Sequence, residues 1–211
     1  NLGLFYGLGL SSPVRDSQLT SVDIAGNATG QFIGALAGGS IGLVQNVHAT
    51  GRVAGAGGSL VGGLLGSDFG TLIACSSSAT VQAGDGTVAG GLVGRKGVQL
   101  GGDISASYAT GNVSGGGAAI GGLIGEAMQG GTISDSFATG SVTGSGAAPA
   151  GGLIGVRTSG GGSSPKIVTS YSTGFVTSGT GAPVGGSIGE DDVAGSGIGN
   201  DYWDLDTSGI S

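Results

Sequence analysis

One histidine, His48, and one cysteine, Cys75, leave this chain few routes to chemistry. The string Gly-Gly-Ser-Ile-Gly occurs twice, around Ser40 and Ser187, and has the Gly-x-Ser-x-Gly form of a nucleophile elbow. An elbow needs a strand-turn-helix setting and a histidine partner. His48 stands at a repeat position that elsewhere holds Tyr108, Phe137 and Tyr171, so it reads as a packing or surface variant rather than a general base. One His and one Cys cannot assemble a zinc site, and no His-Glu-x-x-His is present. The acids ahead of the C-terminal segment are scattered in unlike positions, which disfavours the paired carboxylates of a glycosidase. The glycine string Ile120 to Gly125 resembles a phosphate cradle, but "GGLVGRKG" lacks the Lys-Ser/Thr ending of a P-loop, and Arg95 and Lys96 read as solvated loop charges. Asp204, Asp206 and nearby Asp201 have the opening of a calcium loop without its twelfth-position Glu, so calcium is the one cofactor considered. The alternative is a turn-rich cap in which Tyr202 and Trp203 cover the last turn of a stack. No catalytic or cofactor-binding residue is assigned.

The glycine string is a repeated part. The residue before each Gly-Gly pair is Ile33, Val61, Ala89, Ile120, Ala150 and Val184, at spacings of 28, 28, 31, 30 and 34. The pairs and their following leucines are Gly62, Gly63 and Leu64; Gly90, Gly91 and Leu92; Gly121, Gly122 and Leu123; Gly151, Gly152 and Leu153. The second half of each unit aligns Thr50, Thr80, Thr110, Thr139 and Thr173. Two residues before them stand His48, Ser78, Tyr108, Phe137 and Tyr171; six before, Val44, Ala74, Ile104, Ile133 and Ile167; three after, Val53, Ala83, Val113, Val142 and Val176. A period of this length signals stacked units that bury their apolar faces only against neighbours. Even steps between Ile104, Tyr108 and Thr110 suit a strand, and put the threonines on the inward side with the isoleucines.

These features predict an all-β chain, a parallel β-solenoid, right-handed by the crossover rule, of about seven coils of 28–34 residues. Seven strands ~4.8 Å apart give a rod on the order of 34 Å long. Residues 1–211 read as one repeat domain: 1–32 a degenerate first coil with Gly3-Leu4-Phe5 at the Gly-Gly-Leu position, 33–189 the repeats, 190–211 an acidic cap. Two strands per unit are expected, at Gly-Gly-Leu-Ile-Gly and before Ala-Thr-Gly, with a third in the "VSGGGAA" stretch. Residues 95–103 and 156–166 are the expected loops. Glycine is 53 of 211 residues, about a quarter against the usual ~7%. Either corners with positive φ or walls too close for a Cβ would explain it.

Net charge is −7, and six of the thirteen acids fall after residue 189 with no base among them. The body is nearly neutral, so the basic stripe of a nucleic-acid binder is missing. Apolar runs are broken well before the ~20 residues of a membrane span. The chain begins at Asn1 without a basic-then-apolar leader, which reads as a processed or excised segment.

Gly122-Leu123-Ile124-Gly125, followed by Ser107-to-Val113-type strands reading Ser-Tyr-Ala-Thr-Gly-x-Val, resembles the GLUG repeat, and Tyr202-Trp203-Asp204 resembles the ending that often follows such arrays. Ser187 in place of Leu and Ala35 in place of Gly depart from the pattern. The resemblance implies a large secreted bacterial protein of the filamentous-haemagglutinin-like adhesin kind, or a non-catalytic region of an immunoglobulin-A-cleaving metallopeptidase. The expected function is then non-enzymatic: a stalk or attachment surface at the bacterial cell surface, meeting host-cell, matrix or polysaccharide partners and neighbouring domains of a larger chain. The alternative is an accessory domain of a secreted enzyme. A third reading, ice or crystalline-surface binding, requires the threonine column to face outward.

Overall fold

The computed structural model describes residues 1–97, 102–193 and 197–210. The chain is a parallel β-solenoid with three walls. One turn shows the plan. Ala119–Gly121 lies in a six-stranded wall, Ile124–Met128 in a seven-stranded wall, and Thr132–Ser134, Phe137–Ala138 and Val142–Gly144 in a sixteen-stranded bent wall. Hereafter these are walls A, B and C. All strand pairs are parallel and run from one turn to the next, so backbone groups are satisfied by the turns above and below. The anchor residues register as expected: Ile33 with Val61, Val61 with Ala89, Ala89 with Ile120, Ile120 with Ala150 and Ala150 with Val184. Wall A has six strands and the earliest turn joins it only through a bridge between Leu2 and Ile33, so about six turns close rather than seven.

Glycine serves close approach at the junction of walls A and B. Gly-Gly-Leu-Ile-Gly is two strands and a corner, with the bend at Gly122 and Leu123. A Cβ on Gly125 would lie 2.7 Å from the carbonyl oxygens of Ala89 and Gly94, and one on Gly121 would overlap the Ile124 carbonyl. Neither glycine has positive φ. The walls meet backbone to backbone, and the second of the two explanations for glycine applies here. Leu64, Leu92, Leu123 and Leu153 at the bend are fully buried, each N–H donating to the carbonyl one turn on, Leu64 to Leu92, Leu92 to Leu123, Leu123 to Leu153.

Positive φ is found elsewhere, at glycines in turns such as Gly58, Gly86 and Gly146, where the first explanation applies, and at one corner made by residues other than glycine. Asn46, Ala74, Ala106, Asp135, Thr169 and Asn200 all have φ near 50° and form one column in wall C. One left-handed residue shifts the in-out alternation by one. Ile104 points in, Ala106 turns, Ser107 points in, Tyr108 out, Ala109 in and Thr110 out. The threonine column therefore faces solvent, correcting the inward placement read from even spacing. The corner breaks the sheet ladder, and serine hydroxyls mend it. Ser107 N–H donates to Ser136 Oγ (3.2 Å) and Ser136 N–H to Ser170 Oγ (3.3 Å), while each of Ser107 and Ser136 Oγ–H donates to the carbonyl two residues back (2.8 and 2.7 Å). Cys75 takes this position one turn earlier, buried, with its N–H on Ser107 Oγ and its Sγ–H directed at the Ile73 carbonyl. Burial raises its thiol pKa to about 11, the signature of an inert core cysteine.

Register corrects other expectations. Val81, not Ala83, pairs with Val53 and Val113, and Ser76 pairs with His48 and Tyr108, so the unit containing Thr80 is displaced by two and Ser78 takes the threonine position. Leu72 rather than Ala74 pairs with Val44 and Ile104. Phe5 pairs with Ala37, the residue after Leu36, so the first unit is shifted by one. Among the described residues, each turn from Leu60 to Thr177 carries five short strands because the corners at residues such as Ala106 and Gly111 divide wall C, and the last turn carries four.

The expected loops also shorten. Arg95 and Lys96 lie in the wall B strand Val93–Lys96, and Arg157 in the strand Ile154–Thr158; residues 98–101 lie outside the described residues. Lys96 and Arg157 are buried, in one inward column that runs Ser40, Asp68, Lys96, Ala127, Arg157, Asp191. Arg157 forks onto Asp191 (Nε–Oδ1 2.9 Å, Nη2–Oδ2 2.7 Å) and donates to the Pro165 carbonyl at 3.2 Å. Asp68 accepts from Gly70 N–H at 3.1 Å, and desolvation pushes its pKa up to about 8; desolvation lowers that of Lys96. Small Ala127 keeps the two buried cations two turns apart. Arg95 pairs with Glu126 across the neighbouring column at 2.7 Å.

The two ends differ. At the C-terminal end Trp203 lies over Gly186, the helix Leu205–Ser208 is capped by Asp204, and Ile210 packs on the core. At the other end the thirteen-residue strand Val14–Gly26 pairs on one side only, and Leu2, Val14, Leu19, Val22 and Ile24 are only partly covered.

Three outcomes follow from this packing. Ala106→Gly relieves a left-handed alanine and should stabilise by about 0.5–1 kcal/mol, read as a raised Tm, since the strain relieved exceeds the added chain entropy. Excision of Ile120 to Pro149 joins the chain in register but sets Lys96 against Arg157; it should fold poorly until Arg157→Ala is added, in thermal melts followed by circular dichroism. The raised Asp68 pKa means the folded chain holds a proton the unfolded chain releases above about pH 4. Its stabilising contribution is present below that pH and is lost as pH rises through about 8. Asp68→Asn should therefore gain Tm over the parent progressively between pH 4 and pH 8, and a constant difference would contradict the assignment.

Candidate functional site

The outward face of wall C carries the chemistry that the core does not use. Two adjacent columns run along it. One is His48, Ser76, Tyr108, Phe137, Tyr171 and Tyr202; the other includes Thr50, Ser78, Thr110, Thr139 and Thr173. Both are set by strands such as Tyr108–Ala109 and Phe137–Ala138, whose alternate residues, Ala109 and Ala138, are buried. In-register parallel stacking brings like side chains face to face. The Tyr108 and Phe137 rings stack at 4.8 Å and 1°, and Phe137 and Tyr171 at 5.1 Å and 9°. Such pairs contribute about 0.5–1.5 kcal/mol each beyond burial.

Toward the N-terminal end the aromatic column is interrupted by Ser76. A groove of about 360 Å³ opens there, lined by Gln18, Leu19, Thr20, His48, Ala49, Thr50, Ser76, Ser78, Tyr108 and Thr110. Along its edge runs a directional hydrogen-bond chain. Asn46 Nδ2–H donates to Asp16 Oδ1 at 2.6 Å, which turns Asn46 Oδ1 toward His48 Nε2 at 3.0 Å. Nε2 then carries the ring proton, and Nδ1 accepts from Ser76 Oγ–H at 2.7 Å. Sequence reading looked for a serine partner of His48 at Ser40 and Ser187 and missed Ser76. The signal was the 28-residue step between them, hidden by the two-residue displacement of that unit.

A histidine bonded to a serine is the start of a hydrolase, but acyl transfer also needs donors for the oxyanion. The backbone N–H groups beside this pair are committed between turns: Ser78 to Ala49 O, Tyr108 to Cys75 O, Thr110 to Ser77 O. The arrangement suits binding through hydroxyl, amide and ring groups.

The acidic C-terminal residues have separate positions. Asp204 caps the terminal helix through Asp206 N–H (2.9 Å), and half-buried Asp201 accepts a short hydrogen bond from Ser187 Oγ, with its pKa raised chiefly by desolvation. Among the described residues no three His, Cys, Asp or Glu side chains converge to hold a metal ion. Asp201, Asp204 and Asp206 are thus not brought together as the calcium reading required. Tyr202 continues the outward aromatic column while Trp203 turns in over Gly186. Ser187 stands at the leucine position of its turn and accepts Leu153 N–H through its carbonyl. No helix among the described residues is long and apolar enough to cross a membrane.

Comparison with known proteins agrees with this geometry. Residues 116–143, one turn, match the family described as Glug, the GLUG motif. The chain is similar in fold to a crystal structure named "putative immunoglobulin A1 protease" from Bacteroides ovatus, with a TM-score of 0.68 and 23% sequence identity over 85% of this chain. The match spans 61% of that structure's length. None of the curated proteins matches the sequence. One turn of this parallel β-solenoid, residues 116–143, thus matches the GLUG motif, and the same register runs through the turns on either side.

Proposed function

We propose that this solenoid is a non-enzymatic structural and attachment segment of an exported bacterial protein, displayed at the cell surface. The outward face of wall C carries the reading: a regular array of aromatic and hydroxyl side chains on a rod whose walls A and B meet at Gly121 and Gly125 without room for a Cβ. Flat, rigid arrays present many weak contacts to an extended partner at little entropic cost. The partners it fits are host-cell, matrix or polysaccharide surfaces, with neighbouring domains extending the chain. The near-neutral body and the lack of a basic stripe speak against nucleic acid. The threonine column faces out, which removes the orientation objection to a crystalline-surface binder. Its neighbour column, however, is aromatic rather than a second row of hydroxyls.

Likeness to the Bacteroides ovatus structure favours a second reading, an accessory non-catalytic domain that positions an enzyme carried elsewhere on the same protein. Flanking coding sequence separates the two: a zinc-peptidase motif downstream supports the accessory domain, a two-partner secretion domain upstream the adhesin.

Beads coated with the domain should adhere to epithelial cells or immobilised matrix. Thr110→Lys with Thr139→Lys, on the proposed face, should reduce adhesion several-fold, whereas Ser114→Lys with Thr143→Lys, on the next segment of wall C, should not. Equal adhesion by both double variants would remove the face from the function.

A further inference from the structure

We propose that the groove at the end of the aromatic stack binds a neutral pyranose residue of a glycan. This deepens the attachment reading, and rests on it for its biological sense, but the site is argued from its own geometry. Tyr108, Phe137 and Tyr171 form a three-ring stack, and a stack has two terminal faces. On the N-terminal side the residue in register with Tyr108 is Ser76, too short to cover a phenol ring. The free face of Tyr108 therefore looks into the groove of about 360 Å³.

Around that face the lining supplies hydroxyl, amide and imidazole groups: Ser76, Thr50, Thr110, Gln18 and His48. The chain from Asp16 through Asn46 to His48 commits the Ser76 hydroxyl proton to Nδ1. Ser76 Oγ thus presents lone pairs to the groove as an acceptor, while the hydroxyls of Thr50 and Thr110 and the amide of Gln18 can donate or accept. No Asp, Glu, Lys or Arg lines the groove, so it has no charge to offer a phosphate or carboxylate. A purely apolar ligand would bury these polar groups without partners. A pyranose satisfies both demands, because its C–H face is apolar and its equatorial hydroxyls radiate in the plane of the ring. The groove volume lies at the small end of ligand sites, fitting a short saccharide rather than a folded partner. At the other end of the stack, Tyr171 faces a groove of about 270 Å³ shared with Tyr202 and Trp203, and its exposed lining is almost wholly apolar. The two ends are not equivalent, and only the Tyr108 end has the polar rim.

The test is a titration of the isotopically labelled whole domain with cellobiose, maltose and lactose, with galacturonic acid as the charged control, followed by nuclear magnetic resonance. At least one neutral disaccharide should produce saturable shifts centred on Tyr108, Ser76 and His48, and galacturonic acid none. Tyr108→Ala should weaken binding at least tenfold. Ser76→Tyr fills the gap with a fourth ring; it should abolish binding while leaving the melting temperature unchanged or higher. Absence of saturable shifts with every neutral sugar, or undiminished binding by folded Ser76→Tyr, would overturn the proposal. Bead adhesion without sugar binding would sink this site alone, whereas sugar binding without adhesion would sink the attachment function and leave the site standing.

Discussion

The backbone contact between walls A and B governs the rest of this molecule. Where Gly121 and Gly125 bring two strand layers together without side chains between them, one part of the coil is as thin as polypeptide allows. Glycine loses much conformational entropy on folding, and the sequence accepts that at every turn. What it gains is regularity: with no side chain in that contact, each turn must follow the previous one in register, and apolar bulk is concentrated in the columns of Ile120, Leu123, Ile124, Ile133 and Val142 and their equivalents. Everything outside those columns, including the ring stack, is displayed at the spacing of the backbone ladder.

A second level of order lies in how the solenoid treats polar groups. Breaking wall C at a left-handed residue interrupts the ladder, and the Ser107, Ser136 and Ser170 hydroxyls restore it by accepting from one turn and donating within their own. The buried charges of wall B are handled differently. Arg157 is held by a forked carboxylate and a backbone carbonyl, whereas Asp68 and Lys96 lie side by side with their ionised forms disfavoured by desolvation. Their value is positional, because a turn carrying Lys96 fits beside Asp68 and not beside Arg157.

Much of this was legible in the sequence. Anchor residues from Ile33 to Val184 gave the register of wall A and B outright, since Gly-Gly-Leu tolerates few alternatives. The in-out assignment in wall C was not legible, because Ala106, Asp135 and Thr169 carry no local mark of a left-handed turn and alternation had to be assumed across them. Displacement of the unit around Ser76 arose from matching Ala-Thr pairs, where the fold instead aligns the buried valines Val53, Val81 and Val113. Lys96 and Arg157 fall in the stretches that the uneven repeat spacing assigns to loops, where a charge is expected in solvent, an expectation that fails when the charge has a partner in the next turn. The groove at Tyr108 was invisible for the same reason as the misplaced unit: it exists only once Ser76 is known to interrupt the rings.

The unlike ends of the rod bear on its behaviour among copies of itself. A solenoid is a stack of ready templates, and an unprotected terminal strand would recruit any other extended chain. One end is closed by Trp203, the helix Leu205–Ser208 and Ile210. The strand Val14–Gly26 at the other end carries Arg15, Asp16 and Asp23 on its exposed positions, and between Leu19 and Val22 its register slips around Ser21, whose φ is 54°. Charge and irregularity there do what bulk does at the far end. The consequence is colloidal: a strand marked by charge and a slipped register is a poor template for the edge of another copy, so this segment resists fusing into fibres through it.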